Sequence, residues 1–206
     1  MSLYARTGKR VFDFFGALLM LPVLGAAMLI AAPLIKISDG GPVFYGSRRR
    51  GMNGGHFTML KFRSMTVDAP DLRNKDLSTV NDEFDPRVTA LGRVLRKTSV
   101  DELPQLINVL RGDMSFVGPR PNMTRQTWEE LGPLERKRIQ VRPGITGLSQ
   151  AFYRNSASTA QKYRIDCLYV DRISLGLDTR VLLQTVRSVI GARNINGTSS
   201  RESGAL

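Results

Sequence analysis

Asp101 and Glu102 are adjacent carboxylates within SVDELPQLINVLRGD, residues 99–113. Ser99 and Glu102 stand three apart, the spacing of a capping box, so helix capping is the simplest role for that motif alone. The arginines on either side give the pair a second reading. Arg120 lies between Pro119 and Pro121, Arg142 precedes Pro143, and Arg96 and Lys97 come just before the carboxylates. Singly, these are surface turns and a solvated helix face. Together, rigid Gly/Pro loops that each present one arginine suit phosphate, because a planar guanidinium forms bidentate hydrogen bonds. A carboxylate pair can hold Mg²⁺, which takes oxygen ligands and commonly accompanies phosphate. An aspartate is ionised at neutral pH and can attack phosphorus without a partner base. The set permits phosphoryl transfer without singling it out.

Composition narrows the classes. Thirty Lys and Arg against 18 Asp and Glu leave a net charge of +12, which implies an anionic partner. The single cysteine, Cys167, excludes an internal disulfide framework and indicates a reducing compartment. The single histidine, His56, leaves neither a His-rich metal cluster nor a Ser-His-Asp set. An enzyme built from these residues uses carboxylates, Lys or Arg, and hard metals. One rival reading is a membrane-tethered basic nucleic-acid-binding protein, but no helix-turn-helix, zinc or aromatic-basic RNA motif supports it. Another is a non-enzymatic single-pass membrane scaffold.

The elements that position these residues begin with an apolar run. The chain has 206 residues, enough for one domain plus a membrane segment. Residues 14–35, FFGALLMLPVLGAAMLIAAPLI, carry no charge over 22 positions. As a helix such a run crosses a hydrocarbon layer of about 30 Å. It is too long for a signal-peptide core, and no clear A-x-A site follows it. A single span and a re-entrant hairpin both fit. Pro22 near its middle favours a kink. Basic residues flank it on both sides, Arg6, Lys9 and Arg10 before and Lys36 and Arg48 to Arg50 after, which favours both ends on the cytoplasmic side. Asp13 is expected to pair with Lys9 and Arg10 on the same helical face and so set the insertion depth.

Residues 40–51 read as a turn, a short strand and a basic turn. HFTMLKFRSM, 56–65, alternates as a strand with Phe57, Met59 and Phe62 inward. Residues 66–90 hold Asp68, Asp71, Asp76, Asp82, Glu83 and Asp85 with little periodicity, a surface loop without the spacing of a calcium site. A basic amphipathic segment follows at 88–98. Leu103, Leu106, Ile107 and Leu110 then trace a helix face, with Pro104 in its first turn and Gly112 as its stop. That puts the carboxylates at the positive end of the helix dipole. Residues 115–122 read as a strand entering the Pro-Arg-Pro turn, and 127–139 as a charged helix with Trp128 available to a membrane interface. Residues 141–150 read as a rigid loop, 158–173 and 177–193 as helices, and 194–206 as a polar, disordered tail.

The run DPRVTALGRVLRKTSVDELPQLINVLRGDMSFVGPRP, followed by VRPGITGLSQ, resembles the bacterial sugar transferase family. KFRSM at 61–65 and the start KRVFDFFGALLMLPVL also match it. The resemblance covers about residues 9–190 and implies the minimal form of the family. It implies an α+β, helix-rich fold: a re-entrant membrane helix at 1–37, a small cytoplasmic catalytic domain with short strands at 38–193, and the tail. It further implies transfer of a sugar 1-phosphate from a UDP-sugar to undecaprenyl phosphate at the cytoplasmic face of the bacterial inner membrane. UMP would leave by ping-pong chemistry through an aspartyl intermediate. By that match Asp101 is the nucleophile and, with Glu102, holds Mg²⁺. Arg96, Arg120, Arg142 and Lys61, with Gly144 and Gly147 of the RPGITG loop, contact phosphate or nucleotide. Arg10, Asp13 and Pro22 belong to the membrane segment, whose partners are lipids rather than nucleic acid. One departure concerns Leu21, where members of the family often carry Ser. A Ser hydroxyl can satisfy a carbonyl freed by proline, so here packing on the globular part must hold the bend.

Overall fold

The computed structural model describes residues 3–70, 72, 85–124, 126–153 and 157–190. Asp71, Asp76, Asp82, Glu83, Arg193 and the tail 194–206 lie outside the described residues. After a π-helical turn at Tyr4–Gly8, helix α1 runs over Lys9–Asp39, 31 residues with Pro22 and Pro33 inside it. That is about 46 Å at 1.5 Å per residue. Gly40 ends it in the left-handed region, φ 70°, with its N–H on the Lys36 carbonyl, a conformation that favours glycine. Strands β1 (Phe44–Arg50) and β2 (His56–Phe62) form an antiparallel hairpin with Tyr45 opposite Lys61 and Arg50 opposite His56.

Next come α2 (Ala90–Lys97), a 3₁₀ turn (Val100–Glu102) and α3 (Gln105–Arg111). Strand β3 (Ser115–Val117) pairs in parallel with β4 (Gly144–Thr146), and α4 (Pro133–Arg138) lies between them in sequence. Helices α5 (Leu148–Tyr153), α6 (Thr159–Asp171) and α7 (Leu175–Ile190) follow. The architecture is helix-rich α+β, with one long apolar helix and short strands. Two expectations change. The helix at 127–139 is only α4, because Gly132-Pro133 starts it late: proline suits the first helical position, and the Gly132 N–H is taken by the Glu135 carboxylate at 2.9 Å. The loop at 141–150 contains β4 and the start of α5.

Helix α1 is long and apolar enough to cross a membrane. Its buried residues are Lys9, Asp13, Ala17, Leu24, Ala31 and Ile35, spaced by four or seven and so on one face. The apolar four, Ala17, Leu24, Ala31 and Ile35, share a cluster with Met59, Phe62, Leu95, Leu106, Val109 and Met114. A second cluster around Val117, Tyr169 and Val181 meets it at Phe116. Gly16 admits the Phe116 ring, which would lie 2.7 Å from a Cβ at that position. The outer face carries Phe15, Leu19, Leu29, Ile30 and Ile37, with Leu19 80% and Leu29 81% exposed. Apolar surface is disfavoured in water by about 25 cal/mol per Å², so a face of this extent suits lipid.

The expected pairing of Asp13 with Lys9 and Arg10 does not form. Asp13 is buried and accepts hydrogen bonds at 3.0 Å from Ser115 Oγ and the Phe116 N–H. Lys9 reaches Asp178 of α7 at 2.6 Å, and the Tyr4 and Tyr169 hydroxyls complete the Asp178 shell. Arg10 donates to the carbonyls of Val109 and Leu110 in the last turn of α3, where the Gly112 N–H also reaches Val109. The exchange has a physical reason. A buried polar group left without a partner costs about 1–3 kcal/mol, more than an exposed ion pair returns. At the other end of α1, both terminal nitrogens of Arg63 bind the Asp39 carboxylate. Both ends of the apolar helix are therefore tied to one globular body.

Candidate active site

Two packing contacts assemble the site. Thr89 caps α2 by accepting the Gly92 N–H at 2.9 Å. Gly92 then presses on the backbone of Ser64, where a Cβ would sit 1.9 Å from the Ser64 carbonyl oxygen. One turn later this contact brings Arg96 Nε to Ser64 Oγ at 2.9 Å. The second contact is Asn108, buried in α3. It accepts the Leu60 N–H at 3.0 Å and donates to the Thr58 carbonyl at 2.8 Å, fixing α3 against β2. Lys61, the next residue of β2, therefore faces the carboxylates.

Lys61 Nζ lies 2.5 Å from Glu102 Oε1 and 3.7 Å from Asp101 Oδ2. Arg120 Nη1 approaches Glu102 Oε1 to 3.9 Å from the opposite loop, its side chain 53% exposed. Arg96 is close enough to act on the Asp101 charge. Five of the sequence-predicted residues thus converge: Asp101, Glu102, Lys61, Arg96 and Arg120. The capping box does not form. Ser99 adopts a left-handed φ of 58° and makes no side-chain capping bond, and the Glu102 carboxylate turns to Lys61 instead. Asp101 and Glu102 occupy the 3₁₀ turn, and the α-helix begins only at Gln105.

The environment drives the two carboxyls apart. Burial is the largest influence on Asp101 and raises its pKa above the ordinary carboxylate value, helped by the Glu102 charge and opposed by Lys61, Arg96 and Arg120. Burial is the largest single influence on Glu102 too. There the charges of Lys61 and Arg120, with hydrogen bonds from Lys61 and Gln105, together outweigh it, and the pKa is lowered. Two neighbouring acids with opposed shifts mark a division of roles. Among the described residues no group of three or more His, Cys, Asp or Glu is placed to cage a metal. Two adjacent carboxylates still fit Mg²⁺, which keeps several waters and completes its shell with substrate phosphate.

The family profile for bacterial sugar transferase matches residues 4–192. The chain belongs to the bacterial sugar transferase family. It is 40% identical over 195 residues to a Bacillus subtilis (strain 168) protein named uncharacterized sugar transferase EpsL, covering 93% of this chain and 91% of that one. It is 39% identical over 195 residues to the UDP-glucose:undecaprenyl-phosphate glucose-1-phosphate transferase of Caulobacter vibrioides, covering 90% of this chain and 71% of that one. It is 38% identical over 193 residues to the UDP-galactose-lipid carrier transferase of Erwinia amylovora, covering 88% of this chain and 40% of that longer one.

In this sugar transferase Arg142 stands apart from the carboxylates. Its Nε donates to the Gly112 carbonyl at 2.9 Å, capping the far end of α3. The seven residues of α3 and the turn before it separate Gly112 from Glu102, roughly 15 Å along the axis. Gly144 and Gly147 pack on Gly118: a Cβ at either would lie 2.1 Å from the Gly118 nitrogen or 2.3 Å from its carbonyl oxygen, respectively. Their close approach joins the RPGITG loop to the loop that carries Arg120.

Sequence reasoning missed Arg138. It binds Asp166 through Nε, the Asn122 side chain at 2.9 Å through Nη1 and the Arg120 carbonyl at 3.0 Å through Nη2. Tyr163 stacks on it, and Ser149 donates to the remaining Asp166 oxygen at 2.6 Å. This buried network holds the loop from which Arg120 projects. Nothing in LERKRI distinguishes Arg138 from its exposed neighbours. The available signal was Asp166, an acid among apolar positions of α6.

Proposed function

We propose that this sugar transferase moves a sugar 1-phosphate from a UDP-sugar to undecaprenyl phosphate, with release of UMP, at the cytoplasmic face of a bacterial inner membrane. The observation that carries the reading is the buried Asp101 beside the half-buried Glu102, framed by Lys61, Arg96 and Arg120. The names of the Caulobacter and Erwinia relatives, which specify UDP-sugars and a lipid carrier, support the donor and acceptor classes. In the first half-reaction an Asp101 oxygen attacks the sugar-bearing phosphorus. The bond from that phosphorus to the oxygen bridging to UMP breaks, UMP leaves, and an aspartyl-phosphosugar forms. In the second, an oxygen of undecaprenyl phosphate attacks the same phosphorus and Asp101 departs as a carboxylate. Arg96 and Arg120 offset the phosphate charge that otherwise repels an anionic nucleophile. Glu102, held ionised, and Asp101 would hold Mg²⁺. Bound there, the ion neutralises phosphate charge and polarises the phosphorus.

The assay is UMP release from a panel of UDP-sugars with undecaprenyl phosphate. Turnover is expected with at least one donor and loss of it on adding EDTA, restored by Mg²⁺. An enzyme indifferent to EDTA removes the metal assignment, and no UMP from any donor removes the reaction. The pH profile offers a separate check. Asp101 attacks only when ionised, so its raised pKa places the acid limb of kcat/KM above about pH 4. Lys61 lowers that pKa, so Lys61→Gln is expected to move the acid limb to still higher pH. An unmoved limb would separate Lys61 from the nucleophile.

The membrane placement rests on the two anchored ends of α1. A helix crossing the bilayer puts its ends on opposite faces, some 30 Å apart. Here Asp13 and Asp39 both bind the same globular body, which supports a re-entrant helix with both ends cytoplasmic. The net charge of +12 favours an anionic leaflet, at about 1 kcal/mol for each Lys or Arg near the surface. In cells, Leu3→Cys and Ser38→Cys are both expected to resist an impermeant maleimide until lysis. Labelling of either from outside overturns the re-entrant reading.

A further inference from the structure

We propose that the cleft between the tip of the β1–β2 hairpin and the segment carrying Thr124 and Trp128 is the nucleoside monophosphate subsite. Arg50 is its phosphate contact and the Trp128 indole is the wall for the base. The inference rests on the UDP-sugar reading above and assigns residues that reading leaves unused.

The argument starts from a buried charge. Arg63, Arg87 and Arg138 are buried, and each is paired with a carboxylate: Asp39, Asp85 and Asp166. Arg50 is 4% exposed, and among the described residues no carboxylate lies within ion-pair distance of it. Its Nη2 donates to the Gln126 carbonyl, and its Nε is buried with no partner among the described residues. A guanidinium withdrawn from water without a counter-charge is unfavourable by several kcal/mol unless an anion joins it. Arg50 lines a cleft of about 530 Å³ with no carboxylate among its described wall residues. That volume lies within the range of small-molecule sites.

The rest of the cleft suits a flat heterocycle with hydrogen-bonding edges. The Trp128 indole lies against Gly54, where a Cβ would meet it at 2.9 Å, and Arg136 covers it at 5.6 Å. Asn53, Gln126, His56 and Thr124 supply amide, imidazole and hydroxyl groups around it. The cleft also adjoins the residue that reaches the carboxylates. Arg50 and Arg120 line one small cavity, and Arg120 reaches Glu102. The order nucleophile, Arg120, Arg50, Trp128 is that of a reacting phosphate, a second phosphate and a base in a nucleoside diphosphate sugar. Arg120 then serves the phosphate under attack, and Arg50 the one that departs with the nucleoside.

Trp128 is the only tryptophan in the chain, so its emission reports on the cleft directly. UMP titrated into the full-length protein in lipid nanodiscs is expected to change that emission saturably. Arg50→Gln should weaken the apparent affinity roughly tenfold or more, the effect of losing one charged hydrogen bond. Trp128→Leu, at a half-exposed side chain, tests the base contact without disturbing the core. It should weaken UMP product inhibition and raise the KM for UDP-sugar by about tenfold at near-constant kcat. Inorganic phosphate should leave the emission unchanged where UMP saturates it. An equal response to phosphate leaves a simple anion site and overturns the base assignment. Unchanged emission with UMP, in an enzyme that turns over UDP-sugar, overturns the inference and spares the reaction. A UMP response without any turnover keeps the subsite and removes the reaction instead.

Discussion

Asp101→Asn is expected to abolish UMP release, by about 10³-fold or more, and to leave a folded protein with a higher melting temperature. The loss of activity follows from chemistry: an amide has no anionic oxygen with which to open the phosphoric anhydride. The gain in stability follows from burial. A carboxyl whose pKa is higher in the folded chain holds its proton more tightly there. Its burial is tolerated below the unfolded value, near 4, and opposes folding progressively as pH rises through the folded value. The pKa of Asp101 is raised, with burial as the main cause, so the penalty is present in full above that value. An isosteric neutral amide removes it, and Lys61 keeps Glu102 as its partner at 2.5 Å. Relief of about 1 kcal/mol raises Tm by roughly 2–4 °C in a chain of this size. Scanning calorimetry beside the UMP assay reads both effects. Near-normal turnover would remove the covalent intermediate, and a lower Tm would mean that the carboxylate holds the 3₁₀ turn together.

Gly144→Ala is expected to cost the protein its folded state. A Cβ at this position would lie 2.1 Å from the Gly118 nitrogen, 2.2 Å from the Thr146 carbonyl oxygen and 2.7 Å from the Gly118 carbonyl oxygen. All three are backbone atoms, so no side chain can swing aside. The same region carries the β3–β4 ladder, with the Gly118 N–H on Thr146 at 2.9 Å and the Gly144 N–H on Pro119 at 3.1 Å. Overpacking in a closed site costs about 1–3 kcal/mol, and here hydrogen bonds at about 1 kcal/mol each are lost with it. Arg120, two residues beyond Gly118, would shift with the loop. Gly25→Ala is the comparison, since nothing among the described residues lies within 4 Å of a Cβ there. In mid-helix that change stabilises by up to about 1 kcal/mol. The measurement is Tm and monodispersity in detergent. A Gly144→Ala protein with unchanged Tm and only a raised KM would return Gly144 to the ligand-contact role expected from the motif.

The structure keeps much of what the chain declares locally. The apolar positions from Leu106 to Leu110 form a helix face because their period is written within a few residues. Met59 is buried where alternation from Phe57 places it, a rule equally local, whereas Phe62, three residues on, is buried against that alternation. Asp101, Glu102 and Lys61 were legible as candidates from residue type and motif. What escaped are the contacts that bring them together. Asn108 binds Leu60 and Thr58 across 48 and 50 residues of chain, and Arg96 binds Ser64 across 32. No short-range pattern encodes such pairings. Two local rules failed for a related reason. Ser99 and Glu102 have capping-box spacing, yet the ammonium of Lys61 is a stronger partner for Glu102 than a backbone N–H. Arg142 has the residue type and proline frame of a phosphate ligand, but the orphan Gly112 carbonyl at the end of α3 holds it elsewhere.

The anchors of α1 also set an order of events during synthesis. The helix is translated before the segments that anchor it, with Lys9 and Asp13 near its start. The partner of Lys9 is encoded 169 residues later, and that of Asp13 102 residues later. At about 5–20 residues per second, Lys9 waits roughly 10–30 s for Asp178. During that interval the two charges, four positions apart on one face, can neutralise each other. The pairing absent from the finished protein is thus available to the nascent one, and completing α7 is what exchanges it for the final anchors.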